Sequence, residues 1–574
     1  MKLKHQHIFL ILLLAVFAAY GNSLSGQFIW DDKPLIADSP LVKSPHLWGR
    51  AFSSELYENS RANYYRPLVV ISFILNSVFS GTDPFGYHLV NIILHFGVGC
   101  LLYLFLTRMG AGSFVPFATA MIFLVHPLHA QVVTYISGRA DSLSAIFILS
   151  SLIFFKKAHE CRRERHTNPS DRIGYRRNMI LSCFMFILAL LTKETAIVLP
   201  FVLCWERPFL KKARPLFCIA LIYAVLRISL LNFSFGNPFL QKKGFAFFEV
   251  GIFERLFIFG KTLLIYLGSF MAPFGLHMER LTAYENIIPE YWVGILCALM
   301  LVGVGIKNSR AMSLQTKQLA PYFLFWFFAW LFPQSALIFP MIMAEHFLYL
   351  PSMALCFYVA VLLQAVTRPG LRWAILSAVV LFLAFLSWQN NKDWSNELRF
   401  FQKTVSLSPY SIRARDSLAS LYLEQNRYND AELEYKRILG LKSTFAGHPG
   451  ADVVEASAYY NIGILYEKTG RVIEAVLAYR AAIMVNPKME KAYNNIGLLY
   501  QRMGDVSKAQ ESFKKAIELD GGFYQAYNNL ATLYVQRGDN NSAMGLWQKA
   551  LLIKPDYETA RKNIALVKEL VKKD

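Results

Sequence analysis

The sequence predicts an all-α chain in two parts, a polytopic membrane bundle of about eleven spans followed by an α-solenoid of stacked helical hairpins. Two observations carry this. Hydrophobic residues make up 55% of the 574 and mean hydropathy is +0.33, more apolar than a soluble protein of this length, and the apolar runs all precede Asn390. After Tyr459 the pattern changes, and Gly470, Gly504 and Gly538 recur every 34 residues. The chain therefore divides into a membrane part, residues 1–389, and a polar, Tyr- and Ala-rich helical part, residues 390–574.

The N-terminus, Met1-Lys2-Leu3-Lys4-His5, is basic and leads into an apolar segment at residues 8–20. That is the layout of a signal sequence, with Ala19-Tyr20-Gly21 a passable cleavage site. The preferred reading is an uncleaved anchor with its basic end in the cytosol. Just beyond it stands Phe28-Ile29-Trp30-Asp31-Asp32-Lys33-Pro34. Two adjacent carboxylates there could take a proton from an acceptor hydroxyl. They would equally suit a solvated loop or a helix cap.

Further apolar runs lie at 87–106, 113–126, 142–155, 179–192, 195–205, 215–235, 291–306, 321–340, 345–366 and 371–388. Several are shorter than the roughly 20 residues a straight span needs, so short or broken helices are expected. The basic stretches 156–177 and 207–214 belong in the cytosol, with weaker inside signals at 307–317 and 368–372. Lys193-Glu194 then forms an outer hairpin tip. Residues 67–79 lie along the outer interface, and 255–276 is re-entrant or on the outer face. The N-terminus is inside and the C-terminal part outside.

This topology gathers the unusual polar residues near the outer ends of helices: Asp31, Asp32, Arg66, His126, His129, Arg139, Asp141, Lys193, Glu194, Glu345 and His346. A charge at mid-membrane costs about 2.5–3.5 kcal/mol on insertion scales, so such residues serve a site or pair with one another. Arg139 and Asp141 fit structural pairing as well as ligand binding. Lys193-Glu194 fits a solvated turn as well. His126-Pro127-Leu128-His129 looks like a metal pair, but its spacing is more often that of hydrogen-bonded structural histidines, and Glu345-His346 is ambiguous in the same way. No metal is assigned, and the dependence of any reaction on one is left open. The seven cysteines show neither metal spacing nor a disulfide framework. A net charge of +20 suggests nucleic acid, but much of it sits in loops between membrane segments, where it sets orientation, so no nucleic-acid partner is expected.

In the second part Tyr460-Asn461-Ile462-Gly463, Tyr493-Asn494-Asn495-Ile496-Gly497 and Tyr527-Asn528-Asn529-Leu530-Ala531 repeat with the glycines, and Pro487, Gly521 and Pro555 close the second helices. This is the tetratricopeptide (TPR) signature, a hairpin that buries its apolar face only by stacking on neighbours. A degenerate unit precedes these, with Asn426 at its turn and a loop at 440–451 after it, and a last helix at 557–571 caps the stack. The repeat aromatics are core. Asn461, Asn494, Asn495, Asn528 and Asn529 either clamp an extended acceptor peptide or cap local backbone.

Five blocks in order resemble the TMTC-like (transmembrane and tetratricopeptide-repeat) O-mannosyltransferases and their bacterial relatives. They are Phe28-Ile29-Trp30-Asp31-Asp32, Tyr65-Arg66-Pro67-Leu68 with Gly86-Tyr87-His88-Leu89-Val90-Asn91, His126-Pro127-Leu128-His129 leading to Ser137-Gly138-Arg139-Ala140-Asp141, Thr192-Lys193-Glu194-Thr195, and Leu348-Tyr349-Leu350-Pro351-Ser352. The resemblance covers almost the whole chain. It implies a C-type glycosyltransferase fold that takes a sugar from a polyprenyl- or dolichyl-phosphate carrier on the extracytoplasmic or luminal face.

Under that resemblance the catalytic base is Asp31 or Asp32, with Trp30 as apolar surface able to raise its pKa. Arg66, Arg139 and Lys193 would meet the leaving phosphate. His346 stands with them where the family pattern has Arg after Glu345, and that departure weakens its phosphate role. His126, His129, Asp141, Glu194 and Glu345 would support the site. The implied function is transfer of a sugar, mannose among the candidates, to protein hydroxyls with inversion, the repeats docking the acceptor protein. The lipid-linked sugar is a co-substrate, and no other cofactor is expected. The bilayer is a partner. The expected place is a bacterial inner membrane with a periplasmic site, the alternative being the endoplasmic reticulum with a luminal one. The rival readings are a non-catalytic TPR scaffold, a flippase, and a sibling enzyme acting on saccharide or lipid.

Overall fold

The computed structural model describes residues 5–53, 65–163, 169–205, 212–230, 252–278, 280–281, 292–294, 296, 314–338, 342–441 and 451–571. The apolar run 291–306, the loop 440–451 and parts of the basic stretches 156–177, 207–214 and 307–317 lie mostly or partly outside them. The described residues form two compact units, one ending at Ser411 and the other starting at Ile412.

The membrane unit is helical apart from a two-residue antiparallel ladder, β1 (Arg280–Leu281) with β2 (Ile342–Met343). Its principal helices are α1 (His5–Tyr20), α2 (Pro67–Ser80), α3 (Pro84–Arg108), α4 (Phe114–Val125), α5 (Arg139–Arg163), α6 (Pro169–Thr192), α7 (Arg214–Val225), α8 (Ile252–Met271), α9 (Leu314–Phe332), α10 (Ser352–Gln364), α11 (Pro369–Asn391) and α12 (Glu397–Leu407). Among the described residues five helical stretches are long and apolar enough to cross a bilayer: α1 with its extension to Ser25, α3, α5, α6 and α11. A sixth span arises if α4 is joined to Pro127–Val133 across a 56° bend. Among the described residues other apolar segments fold as shorter helices, Pro67–Ser80, Glu194–Leu203 and Ser352–Gln364. The 14 residues of α2 reach only about 21 Å at 1.5 Å per residue, short of a hydrocarbon core of about 30 Å. Residue 345 lies outside the α-helices altogether, in a short turn (Glu345–Leu348) that precedes α10. Large apolar side chains on α6, α7, α8 and α11 face outward, among them Ile180, Leu221, Phe257 and Phe385, a surface that lipid solvates.

Local chemistry sets the helix starts. Asp83 caps α3 by accepting the Phe85 N–H at 3.1 Å, with Pro84 at the first position. Asn396 caps α12 by accepting the Arg399 N–H at 3.1 Å. The first loop is no solvated linker. Leu35, Ile36, Leu41, Val42 and Ala51 pack with Val69, Val70, Phe73 and Ile74 of α2, Tyr87 of α3, and Ile136 and Ala140 at the start of α5. That core fixes the loop carrying the acidic pair against three helices. Full burial of a Leu or Ile side chain stabilises by about 1.5–3 kcal/mol.

The second unit is the α-solenoid, α13 (Ile412–Glu424), α14 (Tyr428–Gly440), α15 (Ala451–Lys468), α16 (Val472–Val485), α17 (Glu490–Arg502), α18 (Val506–Leu519), α19 (Tyr524–Gln536), α20 (Asn540–Ile553) and α21 (Glu558–Val571). Ala543, Trp547, Ala560 and Val567 form one inter-hairpin core and Ala475, Tyr479, Ile496 and Leu499 another. The hairpin turns need a left-handed residue. Gly470 has φ +74°, and Asn426 takes the same place in the degenerate first repeat at φ +59°, a conformation Asn tolerates better than most residues.

Candidate functional site

The site is built on five residues, 137–141, where the turn Ile136–Gly138 runs into α5. Asn91 on α3 fixes the approach: its amide donates to the carbonyls of Val133, Tyr135 and Ile136 at 3.2–3.4 Å. Gly138 lies so close to the Gln131 carbonyl that a Cβ there would stand 2.2 Å from its oxygen. A side chain is therefore excluded at this position.

Asp32 is bound to this turn. Its Oδ1 accepts the Ser137 N–H at 2.8 Å and the Ser137 hydroxyl at 2.5 Å, and its Oδ2 accepts the Ile29 N–H at 3.2 Å. The residue is fully buried. Burial pushes its carboxyl up to about 7, with the Ser137 and Ile29 bonds pulling the other way. Asp31 is its half-buried neighbour. Trp30 has a left-handed backbone, φ +47°, and donates its N–H to Glu397 at 2.8 Å. Its ring packs on Tyr135, Phe400 and Phe401.

At the other end of the turn Asp141 accepts from Lys193 at 2.5 Å. Next to Lys193, Glu194 takes a bidentate pair from Arg66, at 2.6 and 3.1 Å. Burial works to raise the Glu194 carboxyl, but Arg66, with Arg227 behind it, holds it at about 2. Arg66 and Lys193 are thus oriented cations rather than solvated turn residues. Only 15% and 6% of their side chains are exposed, which solvated residues would not be. Arg227, buried and donating to the Tyr223 hydroxyl at 2.9 Å, is a site neighbour that the sequence does not announce. It lies inside an apolar run with no acidic neighbour to draw notice.

His346 reaches the same region. Its N–H donates to Gln131 at 2.9 Å, and burial, then the charges of Lys193 and Arg66, push its imidazole well below its ordinary range. It is neutral at pH 7 and brings one N–H donor but no charge. Glu345 beside it is buried. Its Oε1 accepts the His277 N–H at 2.7 Å, and its Oε2 has no hydrogen-bond partner among the described residues. Burial pushes this carboxyl up to about 8, against the pull of Arg280 and Lys403.

Three expectations need correction. Arg139 does not face a phosphate. It is fully buried, donates to Asn91 and Asn76 at 2.8 Å and to the Tyr87 and Ser72 carbonyls at 3.0 and 3.2 Å, and lies over the Phe73 ring. It ties α2 and α3 to α5. His126 and His129 face no site either. The Nε2 of His126 meets the Phe270 carbonyl at 3.0 Å, and its Nδ1 accepts the Leu128 N–H. His129 meets the Phe123 carbonyl and the Ser352 hydroxyl. A nitrogen against a carbonyl must carry the proton, so both rings have all their polar atoms committed to packing. No group of three metal-ligating side chains forms among the described residues.

The repeat asparagines form a ladder between hairpins. Asn461 donates to Asp416, Asn495 to the Tyr460 and Tyr479 hydroxyls, Asn529 to Asn494, and Asn563 to Asn528, whose oxygen also takes the Trp547 indole N–H. Asn494 and Asn528 are buried. These amides join repeat to repeat before they could hold a peptide, and Asn563 in the last helix extends the series by one repeat beyond the motif.

Fold and site together define an all-helical polytopic membrane protein with a C-terminal TPR array, carrying an acidic pair and an oriented lysine at one helix start, with an oriented arginine paired to the glutamate next to that lysine. Profiles of the tetratricopeptide repeat family match residues 456–489, 490–523 and 525–554. Among curated proteins the chain is similar to Protein O-mannosyl-transferase F38B6.6 of Caenorhabditis elegans, 26% identical and covering 76% of this chain and 63% of that one. It is similar to Protein O-mannosyl-transferase Tmtc3 of Drosophila melanogaster at 25%, over 84% of this chain and 59% of the relative. It is also similar to Protein O-mannosyl-transferase TMTC1 of Homo sapiens at 25%, over 78% and 56%. The chain thus spans about three-fifths of the length of these relatives. Among solved structures MamA is 26% identical over 29% of this chain and 91% of its own, at a TM-score of 0.24. YrrB, a TPR protein, is 21% identical over 31% and 86%, at 0.23.

Proposed function

We propose that the chain is a membrane glycosyltransferase that moves mannose from a polyprenyl- or dolichyl-phosphate carrier to a protein hydroxyl on the extracytoplasmic face. The observation that carries this is the convergence on residues 137–141. Asp32 is bonded to Ser137, and Lys193 is paired to Asp141 four residues on. The acidic pair and a cation are thereby set at one helix start, which suits a reaction with proton removal at one end and a leaving phosphate at the other. The relatives' names supply the sugar and the protein acceptor.

Asp31 is the base and Asp32 the residue that positions it, because Asp32 is fully buried and bound to the turn through both oxygens, while Asp31 is only partly buried. The acceptor oxygen attacks the anomeric carbon as its proton passes to Asp31. The bond from that carbon to the phosphate oxygen breaks, and its electron pair leaves with the phosphate. The Lys193 ammonium carries more N–H donors than the Asp141 carboxylate takes up, and the Arg66 guanidinium is oriented beside it by Glu194. They stabilise the departing charge, where preorganised cations act best. His346 adds a neutral donor. The bilayer holds the carrier's tail at the interface, and the repeats dock the acceptor.

The test is transfer of labelled mannose from polyprenyl-phosphate mannose to protein in membranes, at equal expression. Asp31→Asn is expected to lose about 100-fold or more, the scale of general-base catalysis, and Asp32→Asn about 10-fold through lost positioning. Normal transfer by Asp31→Asn would move the base to Asp32. No transfer by the unaltered chain across several donor sugars would favour the scaffold reading.

A further inference from the structure

Glu397 opens α12, one residue past the cap Asn396, and its side chain reaches back to the first loop. Its Oε1 accepts the Trp30 N–H at 2.8 Å, and its Oε2 pairs with the Lys33 ammonium. These two partners bracket Asp31-Asp32. An exposed glutamate at a helix start would ordinarily do no more than complement the helix dipole, and an exposed Lys–Glu pair contributes little. Two facts set this one apart. The Glu397 side chain is only 14% exposed, and one of its bonds goes to the backbone of a tryptophan at φ +47°. A left-handed conformation on a bulky residue persists only where the surroundings over-determine it.

The surroundings come from the same segment. Phe400 and Phe401 of α12 pack on the Trp30 ring, Trp394 packs on Tyr135, and the Gln27 N–H reaches the Ser395 carbonyl at 3.4 Å. Residues 30–33 are thus held at both ends by Glu397 and in the middle by the Asp32–Ser137 bonds.

We propose that Glu397 is a positioning residue for the acidic pair, fixing the turn at residues 30–33 so that the Asp31 carboxylate meets the acceptor hydroxyl. The proposal rests on Asp31 being the base. Glu397 acts through Trp30 and Lys33 and not on the substrates, so its loss falls on the chemical step and not on donor binding.

The whole chain is compared as wild type, Glu397→Ala, Glu397→Gln and Asp31→Asn. Mannose transfer gives kcat and donor KM, and hydrogen–deuterium exchange reads the backbone amides of residues 29–35. Glu397→Ala is expected to lower kcat about 10- to 100-fold with donor KM within about 2-fold, as misplacement of a catalytic group does. It should speed exchange at residues 29–35 alone. Glu397→Gln keeps an acceptor oxygen for the Trp30 N–H and is expected to restore slow exchange and most of kcat. Wild-type kcat and wild-type exchange in Glu397→Ala would overturn the proposal, as would faster exchange spread through the whole membrane unit. An inactive Asp31→Asn beside a normal Glu397→Ala sinks this inference and leaves the base assignment standing. A fully active Asp31→Asn sinks the base assignment, and with it the positioning role of Glu397, while the exchange result still reports whether Glu397 holds the turn.

Discussion

Arg139 is the residue whose role its sequence context hides best. A charge buried among three helices is tolerable only when its polar atoms have partners, and the four bonds to Asn91, Asn76 and two carbonyls give each guanidinium nitrogen at least one. Arg139→Met removes the charge but leaves both asparagine oxygens without those bonds. We expect a loss of about 3–5 kcal/mol, the range for breaking a buried charged network, read as a lower melting temperature in detergent. A phosphate role would instead raise donor KM at unchanged melting temperature. Asp32 and Glu345 contribute to the pH dependence in one sense. Their folded carboxyls sit at about 7 and about 8, against roughly 4 in an unfolded chain. Between about pH 4 and pH 8 these two groups hold protons in the folded chain that the unfolded chain has released, and their contribution to stability falls as pH rises through that window. His277 and His346, held by burial below the ordinary imidazole range, contribute in the opposite sense below about pH 6.5. Measured from pH 4.5 to 8, the melting temperatures of Asp32→Asn and of Glu345→Gln should therefore gain on that of the unaltered chain as pH rises. A difference from the unaltered chain that does not change with pH would contradict this.

At the scale of elements, the start of α5 governs the site. Its entry turn is tight because Gly138 has no side chain to meet the Gln131 carbonyl at 2.2 Å. Gly138→Ala must displace backbone, and overpacking of this kind costs about 1–3 kcal/mol. Because Ser137 is the next residue, transfer should fall further than melting temperature alone accounts for. In the repeat unit the equivalent device is the asparagine ladder. Asn528→Ala leaves the buried Trp547 indole N–H without its acceptor, a cost of about 1–3 kcal/mol. The unfolding transition of the repeats should move down while that of the membrane unit stays in place. An unchanged repeat transition would return Asn528 to the peptide-clamp reading.

For the whole molecule, the division at Ser411 and Ile412 assigns α12 to the membrane unit. Its Phe400 and Phe401 are buried, and Glu397 reaches the first loop. A chain ending after Ser411 should therefore keep the site intact. If the repeats dock the acceptor as proposed, that chain should retain transfer to a short peptide at high concentration and lose transfer to folded protein acceptors. Loss of peptide transfer as well, in a truncated chain whose membrane unit melts as it does in the whole chain, would show that the repeats do more than dock.

The sequence by itself determined the two-part all-α architecture, since a TPR period and a run of apolar segments are local and repetitive, and both survive without long-range information. It also placed the acidic pair, Arg66, Lys193 and Glu194 together, because orientation rules sort charges by membrane face. It could not rank them. Arg139 and Lys193 look alike in a chain read by face, and only the tertiary structure separates a guanidinium closed off by Asn76 and Asn91 from an ammonium held at the site by Asp141. The same holds for His126 and His129, whose spacing resembles a ligand pair until the carbonyls that occupy them are seen. Glu397 was beyond reach for a related reason. Its partners Trp30 and Lys33 lie on a distant segment, and a contact across hundreds of residues leaves no periodicity behind.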